Sequence, residues 1–581
     1  MDMQSENRTC QNCKTQFTIE PEDFTFYEKI QVPAPTWCPE CRLQRRMTWR
    51  NERTLYKREC DFCKKITIGM YPPETAFPVY CQDCWWSDKW DATNLGTELD
   101  FRKPLHLQFS ELLASCPRPS LHQIIGSKDS PYANIIAESK NIYLSYSIVR
   151  SEDILYSKNT DQSHGVYDSL GVTNSERCYE NIFGDRNYNS HWIQFSNNCI
   201  DSWFLFDCIN CKNCALSVNL RNKEHVIRNI EYSKEEYFNQ LGKLGMESWS
   251  GLQKLRDEFT DMKVKALHKY ANIVKSTDST GDNLMNVKDV KNGFDVYEVE
   301  HGRYLHRFLK SKDSMDVAYS SSDELMYEYI NTCHHGYSVK FSANGIDALT
   351  NAEYTDYCPS SSHLFACIGL KSKQYCILNK QYAKEEYESL VPRIIKHMND
   401  MPYVDKKGRV YRYGEFFPPE LSPFAYNETI AQEYFPLTKE EAEKQGYRWK
   451  DPDIKEYQIT ILPKDLPDNI EDVPDSILKK TIGCVHEGKC THQCTTAFRI
   501  IPEEFSLYKR MNLPLPRLCP NCRHYERLAQ RNPLKLWHRQ CMCDKSNHFH
   551  KGHCPNEFET SYAPERNEMV YCEQCYQAEV V

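Results

Sequence analysis

Residues 10–46, CQNCKTQFTIEPEDFTFYEKIQVPAPTWCPECRLQRR, have a second version near the other end of the chain. It runs over residues 494–538, CTTAFRIIPEEFSLYKRMNLPLPRLCPNCRHYERLAQRNPLKLWH. At a constant offset of 481, residues 13–60 align with 494–541 without a gap, and 20 of the 48 positions are identical. Phe17/Phe498, Pro21/Pro502, Phe24/Phe505, Tyr27/Tyr508, Pro33/Pro514 and Pro35/Pro516 are among them, and every cysteine of the window coincides. Further on the offset becomes 491, pairing Cys63 with Cys554 and YPPETAFPVYCQDC (71–84) with YAPERNEMVYCEQC (562–575). The later copy therefore carries a ten-residue insertion, DKSNHFHKGH, around 544–553. The chain contains an internal duplication.

Cysteine spacing gives the duplication its chemistry. The chain has 28 Cys. It has no apolar run of membrane-spanning length, and its first residues have neither the basic start nor the apolar core of a secretory leader. Pairs of Cys two residues apart in such a chain read as metal ligands in a reducing, cytoplasmic setting rather than as disulfides. Zinc takes four thiolates in a tetrahedron at about 2.3 Å, and a two-residue spacer lets one turn present two sulfurs. The expected sites are Cys10, Cys13, Cys38 and Cys41; Cys60, Cys63, Cys81 and Cys84; Cys490, Cys494, Cys519 and Cys522; and Cys541, Cys554, Cys572 and Cys575, with Cys543 a rival for Cys541. That makes about four structural zinc ions, preferred over iron–sulfur because the paired knuckles lie 18–25 residues apart. Cys484, His486, Cys543, His548, His550 and His553 are left over. They are material for a fifth site or for a solvated His-rich loop.

The quoted stretches resemble the zinc-ribbon, treble-clef type domain family of bacteria, with its CxxC knuckle, aromatic strand, E-x-x-F-Y segment and CPxCR step into a helix. The layout is similar to uncharacterised bacterial proteins with such ribbons at both ends. The resemblance implies structural zinc at each terminus and brings no activity with it. Departures are the missing glycine after the first knuckle and the wider Cys490/Cys494 spacing.

After the second knuckle, CPECRLQRRMTWRNERTLYKREC is expected to be helical. At 100° per residue, Arg42, Arg46, Arg50, Arg53 and Lys57 then share one face. Arg523, Arg527 and Arg531 hold matching places in the other copy, and Pro533 shortens that helix. A guanidinium stripe suits phosphate, and Trp49, Tyr56 and Trp537 are placed to stack on bases. The competing reading docks these arginines onto the acidic remainder of a chain whose net charge is −9, or leaves them solvated.

Between the modules, residues 135–232 and 292–382 consist of short aromatic or β-branched segments separated by Ser, Asn, Asp and Cys corners. This periodicity predicts two parallel β-solenoid-like arrays, with an antiparallel Greek key as the alternative. Residues 220–237 match 370–387 at an offset of 150, so both arrays end alike. Ser233 and Glu236 form a capping box that Ala383 lacks. Leu252, Leu255, Phe259, Met262, Leu267, Tyr270 and Val274 predict a long amphipathic helix, followed by a linker at 276–283. Cys208, Cys211 and Cys214 read as small core residues. The fold class is thus mainly β with α. Its divisions are 1–90 (first tandem zinc module), 91–134 (connection), 135–232 (first array), 233–291 (helix and linker), 292–382 (second array), 383–480 (helix and extended connector, with a short helix started by Thr438) and 481–581 (second zinc module).

Glycine is scarce, 21 of 581 residues, and no phosphate-loop, dinucleotide, nucleophile-elbow or HExxH string occurs. The expectation is a non-catalytic zinc protein that binds RNA or single-stranded nucleic acid through the arginine faces. The second expectation is a protein-interaction scaffold built on the arrays, and the third a β-solenoid enzyme.

Overall fold

A computed structural model describes residues 4–124, 126–451 and 457–581; residues 452–456 of the expected connector lie outside it. The protein is mainly β. Its middle holds two ladders of parallel strands, from Tyr132–Ala137 to Glu224–Ile227 and from Ile273–Val274 to Gln374–Ile377. Most residues pair with the residue twelve positions on. Lys158 lies between Tyr146 and Leu170, and Trp203 between His191 and Ala215. A few steps are longer, such as Tyr327↔Lys340. In the first ladder Lys140–Val149 and His191–Gln194 each join two rows, so the pairing closes through eight strands. Each ladder ends in a short antiparallel hairpin, Ile227↔Ile230 and Ile377↔Lys380.

The corners explain the composition. Along the first ladder nearly every third residue has positive φ: Asn141, Leu144, Ser147, Arg150, Asp153, Tyr156, Asn159, Gln162 and onward. Asn and Asp tolerate this region best after glycine, and other residues pay on the order of 1–2 kcal/mol. The ladder offsets that strain by pairing the corner amides: Tyr156 N–H donates to Tyr143 O at 3.0 Å and Asp168 N–H to Leu155 O at 2.9 Å. Even Trp192 and Phe204 adopt this conformation.

Inside, aliphatic rows such as Ile142, Ile154 and Val166 alternate with buried serines. Ser151 Oγ accepts from Ser163 N–H and Ser157 Oγ from Ser169 N–H, both at 3.1 Å, so the interior hydroxyls carry their own ladder. Cys208 and Cys214 continue these rows, their amides donating to Ser196 and Ser202 Oγ, and with Cys211 they are fully buried. The core reading of these three cysteines agrees with this placement.

Three expectations, two of them helical, change in detail. The amphipathic helix is Trp249–Lys265, and it buries Leu252, Leu255 and Phe259. Leu267 lies in a strand paired with Met569 instead, and Val274 opens the second ladder. The segment 276–283, expected as a linker, already belongs to that ladder, with Thr277 bridged to Lys288. Past the knuckle the helix covers only Pro39–Met47, and Tyr56–Glu59 is a strand, so Arg50, Arg53 and Lys57 are not on it. Caps follow the sequence. Ser233 and Thr438 accept from Glu236 and Glu441 N–H, whereas Ala383 makes no side-chain cap.

The terminal modules pack crosswise. The first sits against the second ladder, where Trp85 meets Tyr357. The last sits against the first ladder, where Arg221 donates to the Tyr576 hydroxyl at 2.8 Å.

Candidate metal centres and the arginine anchors

Each sulfur quartet is assembled by the same two devices. The first sulfur closes one strand of a hairpin: Glu6–Thr9 with Gln16–Ile19, Tyr56–Glu59 with Ile66–Gly69, Ile482–Gly483 with Ala497–Phe498, and Trp537–Gln540 with Glu557–Thr560. The third sulfur caps a helix N-terminus: Cys38, Cys81, Cys519 and Cys572 precede Pro39–Met47, Gln82–Trp86, Pro520–Leu528 and Glu573–Val580. The helix dipole there favours thiolate.

The sulfurs of Cys10, Cys13, Cys38 and Cys41 lie within 4.8 Å of one another, as do those of Cys60, Cys63, Cys81 and Cys84 and those of Cys541, Cys554, Cys572 and Cys575. A tetrahedron of thiolates at about 2.3 Å has edges of about 3.8 Å. The second-to-third edges measure 3.7 Å (Cys13–Cys38), 3.8 Å (Cys63–Cys81) and 3.9 Å (Cys554–Cys572), so the donors fit a tetrahedral divalent ion. Backbone amides support the thiolates. Cys38 N–H donates to Cys10 Sγ at 3.3 Å and Cys81 N–H to Cys60 Sγ at 3.2 Å. Burial opposes ionisation of Cys60, but amide donors, Cys63 foremost, bring its thiol down to about 7. Four sulfurs fill the coordination sphere and leave no position for a reacting water, which makes these structural centres.

The third quartet corrects the sequence reading. It is Cys484, Cys494, Cys519 and Cys522. Cys519 N–H donates to Cys484 Sγ at 3.3 Å, the counterpart of the Cys38–Cys10 contact, and Ile482↔Phe498 repeats Arg8↔Phe17. Cys490 joins a different group, His486, Cys490, His492 and Cys522. The missed signal was the strand TIGC ending at Cys484, which parallels NRTC ending at Cys10. In the fourth centre Cys541 is the ligand of the quartet, its sulfur accepting from Cys572 N–H at 3.2 Å. Cys543 instead touches His548 Nδ1 at 3.2 Å. His553 is exposed and pairs with Asp544.

The arginine faces do not meet solvent, which corrects the expected phosphate stripe. Arg42 and Arg46 share Asp316, at 2.8 and 3.0 Å, and Arg46 also reaches Glu328 at 2.7 Å. Arg45, which the helical-face arithmetic left out, bridges Glu328 and Glu415. Arg50 pairs with Glu52 at 2.7 Å. All four guanidiniums are at most 1% exposed. In the other module Arg523 and Arg527 share Asp168, at 2.6 and 3.0 Å, and Arg527 reaches Glu180 at 3.4 Å. Arg531 donates to Glu433 O at 2.7 Å and lies over the Tyr434 ring. Arg53 is half-buried and donates to Asn521 Oδ1, and only Lys57 is exposed. Trp49 is buried on Phe417.

The two anchors are copies. Tyr156, Asp168, Tyr179 and Glu180 stand 148 residues before Tyr304, Asp316, Tyr327 and Glu328. Arg42 lies over Tyr304 and Arg523 over Tyr156, while Tyr27 packs on Tyr327 and Tyr508 on Tyr179. Burial pushes the Glu328 and Glu180 carboxyls up, and the facing guanidiniums pull them back. Lys158 adds a buried bridge between Glu52 and Glu433, at 2.6 Å to each. Sequence reasoning had no signal for these acids, which are a few among 81.

No protein family and no curated protein matches the chain. Among solved structures, one similar chain is described as a "putative acetyltransferase from Desulfovibrio desulfuricans G20", at 10% identity and a TM-score of 0.11. The match covers 45% of this chain and 69% of that one, too slight a likeness to bear on fold or activity.

Proposed function

We propose that this chain is a non-catalytic, zinc-stabilised scaffold for a protein partner, working in a reducing compartment. The ladders read as two β-solenoids, supported by the recurring twelve-residue register. The terminal modules read as zinc ribbons, with zinc favoured over iron–sulfur by four separate tetrahedral quartets.

One observation carries the choice of scaffold over nucleic-acid binder. In both modules the paired arginines are spent on an Asp and a Glu one turn apart on a ladder, so the basic faces assemble the protein. The outer faces stay available. Tyr188 and Ile200 sit on successive turns of one row, 38% and 40% exposed. Two small concavities, one beside Glu52, Arg53 and Glu433 and one beside Trp49, His122 and Asn331, have cavity volumes of about 10 Å³ each, room for about one water and far below the roughly 300–1,000 Å³ of small-molecule sites. None of the 28 cysteines is joined in a disulfide, as a reducing compartment requires.

The test uses nuclease-treated full-length protein as bait. A protein partner retained in fixed stoichiometry, and lost on Tyr188→Asp with Ile200→Asp, is the expected result. Salt-sensitive affinity for RNA or DNA pools, with no protein retained, would overturn the reading.

A further inference from the structure

The later module differs from the earlier one by two insertions, each placed between the first two sulfurs of a quartet. Cys10 and Cys13 are three positions apart where Cys484 and Cys494 are ten, and Cys60 and Cys63 are three apart where Cys541 and Cys554 are thirteen. Each insertion carries a cysteine and at least two histidines: His486, Cys490 and His492 in the first, and Cys543, His548 and His550 in the second, which also holds the exposed His553. We propose that these insertions hold a second metal ion each, so that the C-terminal module contains two binuclear centres bridged by the thiolates of Cys522 and Cys575.

Cys522 is placed to bridge. It lies 3.8 Å from Cys484 in the quartet and 3.8 Å from Cys490 in the insertion, both tetrahedral edge lengths. His486, Cys490, His492 and Cys522 present one donor atom each within 4.8 Å of one another. The Nδ1 atoms of His486 and His492 are buried without a hydrogen-bond partner, as ligand atoms awaiting a cation would be. Cys575 repeats the geometry. It touches His550 Nε2 at 3.4 Å and adjoins the Cys543 thiol, which contacts His548 Nδ1 at 3.2 Å. The remaining ring nitrogens are oriented from outside: His548 Nε2 meets Glu579 at 2.9 Å and His550 Nδ1 meets Gly552 O at 2.8 Å. A ligating histidine holds its second N–H in this way. The inserted loops have no apolar core of their own. Phe549 and Val485 are more than half exposed, while Cys543 is fully buried and His550 nearly so. The chemical class is a divalent ion in a two-nitrogen, two-sulfur tetrahedron, which suits zinc.

Elemental analysis of the full-length protein, purified under reductant, tests this. Six zinc ions per chain are expected. His486→Ala with His492→Ala removes one, and His548→Ala with His550→Ala removes another, with far-UV circular dichroism unchanged. Four ions in the native chain, unaltered by either double substitution, would overturn the proposal. Cobalt loading gives an independent readout. Thiolate-bridged pairs couple magnetically, so the paramagnetic signal falls short of the cobalt content and recovers in the double variants. A signal equal to the metal content in the native chain also overturns it.

Discussion

The two ends of the chain are copies of one module, and the main architectural difference between them lies at the knuckles that present the sulfurs. The N-terminal module keeps two compact knuckles and two sulfur quartets. The C-terminal module opens both knuckles with polar insertions, yet the quartet sulfurs return to the same hairpin and helix positions. Away from the metals the modules have stayed alike, using the same arginine pair to grip an Asp and a Glu on a ladder. The comparison teaches that a knuckle tolerates extra chain, because four coordinate bonds fix its ends. A buried ion-pair anchor does not, because losing one partner leaves a charge in low dielectric.

Chelation under reductant is the harshest way to break this equivalence. Structural zinc contributes about 10–16 kcal/mol apparent per small site, and both modules should lose hydrogen-exchange protection together. Protection surviving full metal depletion at either end would contradict the account. Asp316→Ala and Asp168→Ala come next. Each removes the carboxylate that two buried arginines share and should cost about 3–5 kcal/mol in chemical denaturation, and a large cost in one module with almost none in the other would end the claim that the anchors are copies. Acid sharpens the comparison further. Burial holds His106, His122 and His191 down at about 3 against an ordinary 6.5. The unfolded chain then binds protons that the folded chain refuses, so stability is complete above pH 6.5 and drains away as pH falls toward 3. Imidazole NMR signals of these three residues should stay neutral down to about pH 4; titration near 6.5 would refute it. The smallest effect belongs to Lys57→Ala, exposed and off the helix, which should shift stability by less than about 0.5 kcal/mol.

Much of the metal chemistry was legible because it is local. Two sulfurs three positions apart, repeated by duplication, announce a knuckle whatever surrounds it. The exception was Cys484, where the insertion put Cys490 closer in sequence to Cys494 and hid the strand that carries the true ligand. The ladders were legible as periodicity, although the corner conformation was not. Positive φ at Tyr156, Trp192 and Phe204 runs against residue preference, and at Tyr156 it is held by an amide bond to Tyr143 O on a neighbouring strand. The arginine faces were visible as a pattern, and their meaning was not. A helix periodicity says which residues share a side, while the acids that meet Arg42 and Arg46 lie more than 260 residues away.

The sequence by itself determined the duplication, two of the sulfur quartets in full, a third up to the choice between Cys541 and Cys543, and the predominance of β structure, because coordination spacing and turn periodicity are written over a few residues. Only the tertiary structure decided that the first module grips the second ladder and the last grips the first, turning two basic faces inward. That choice depends on where distant acids come to rest, and burial of a charge is set by its partner rather than by its neighbours in the chain.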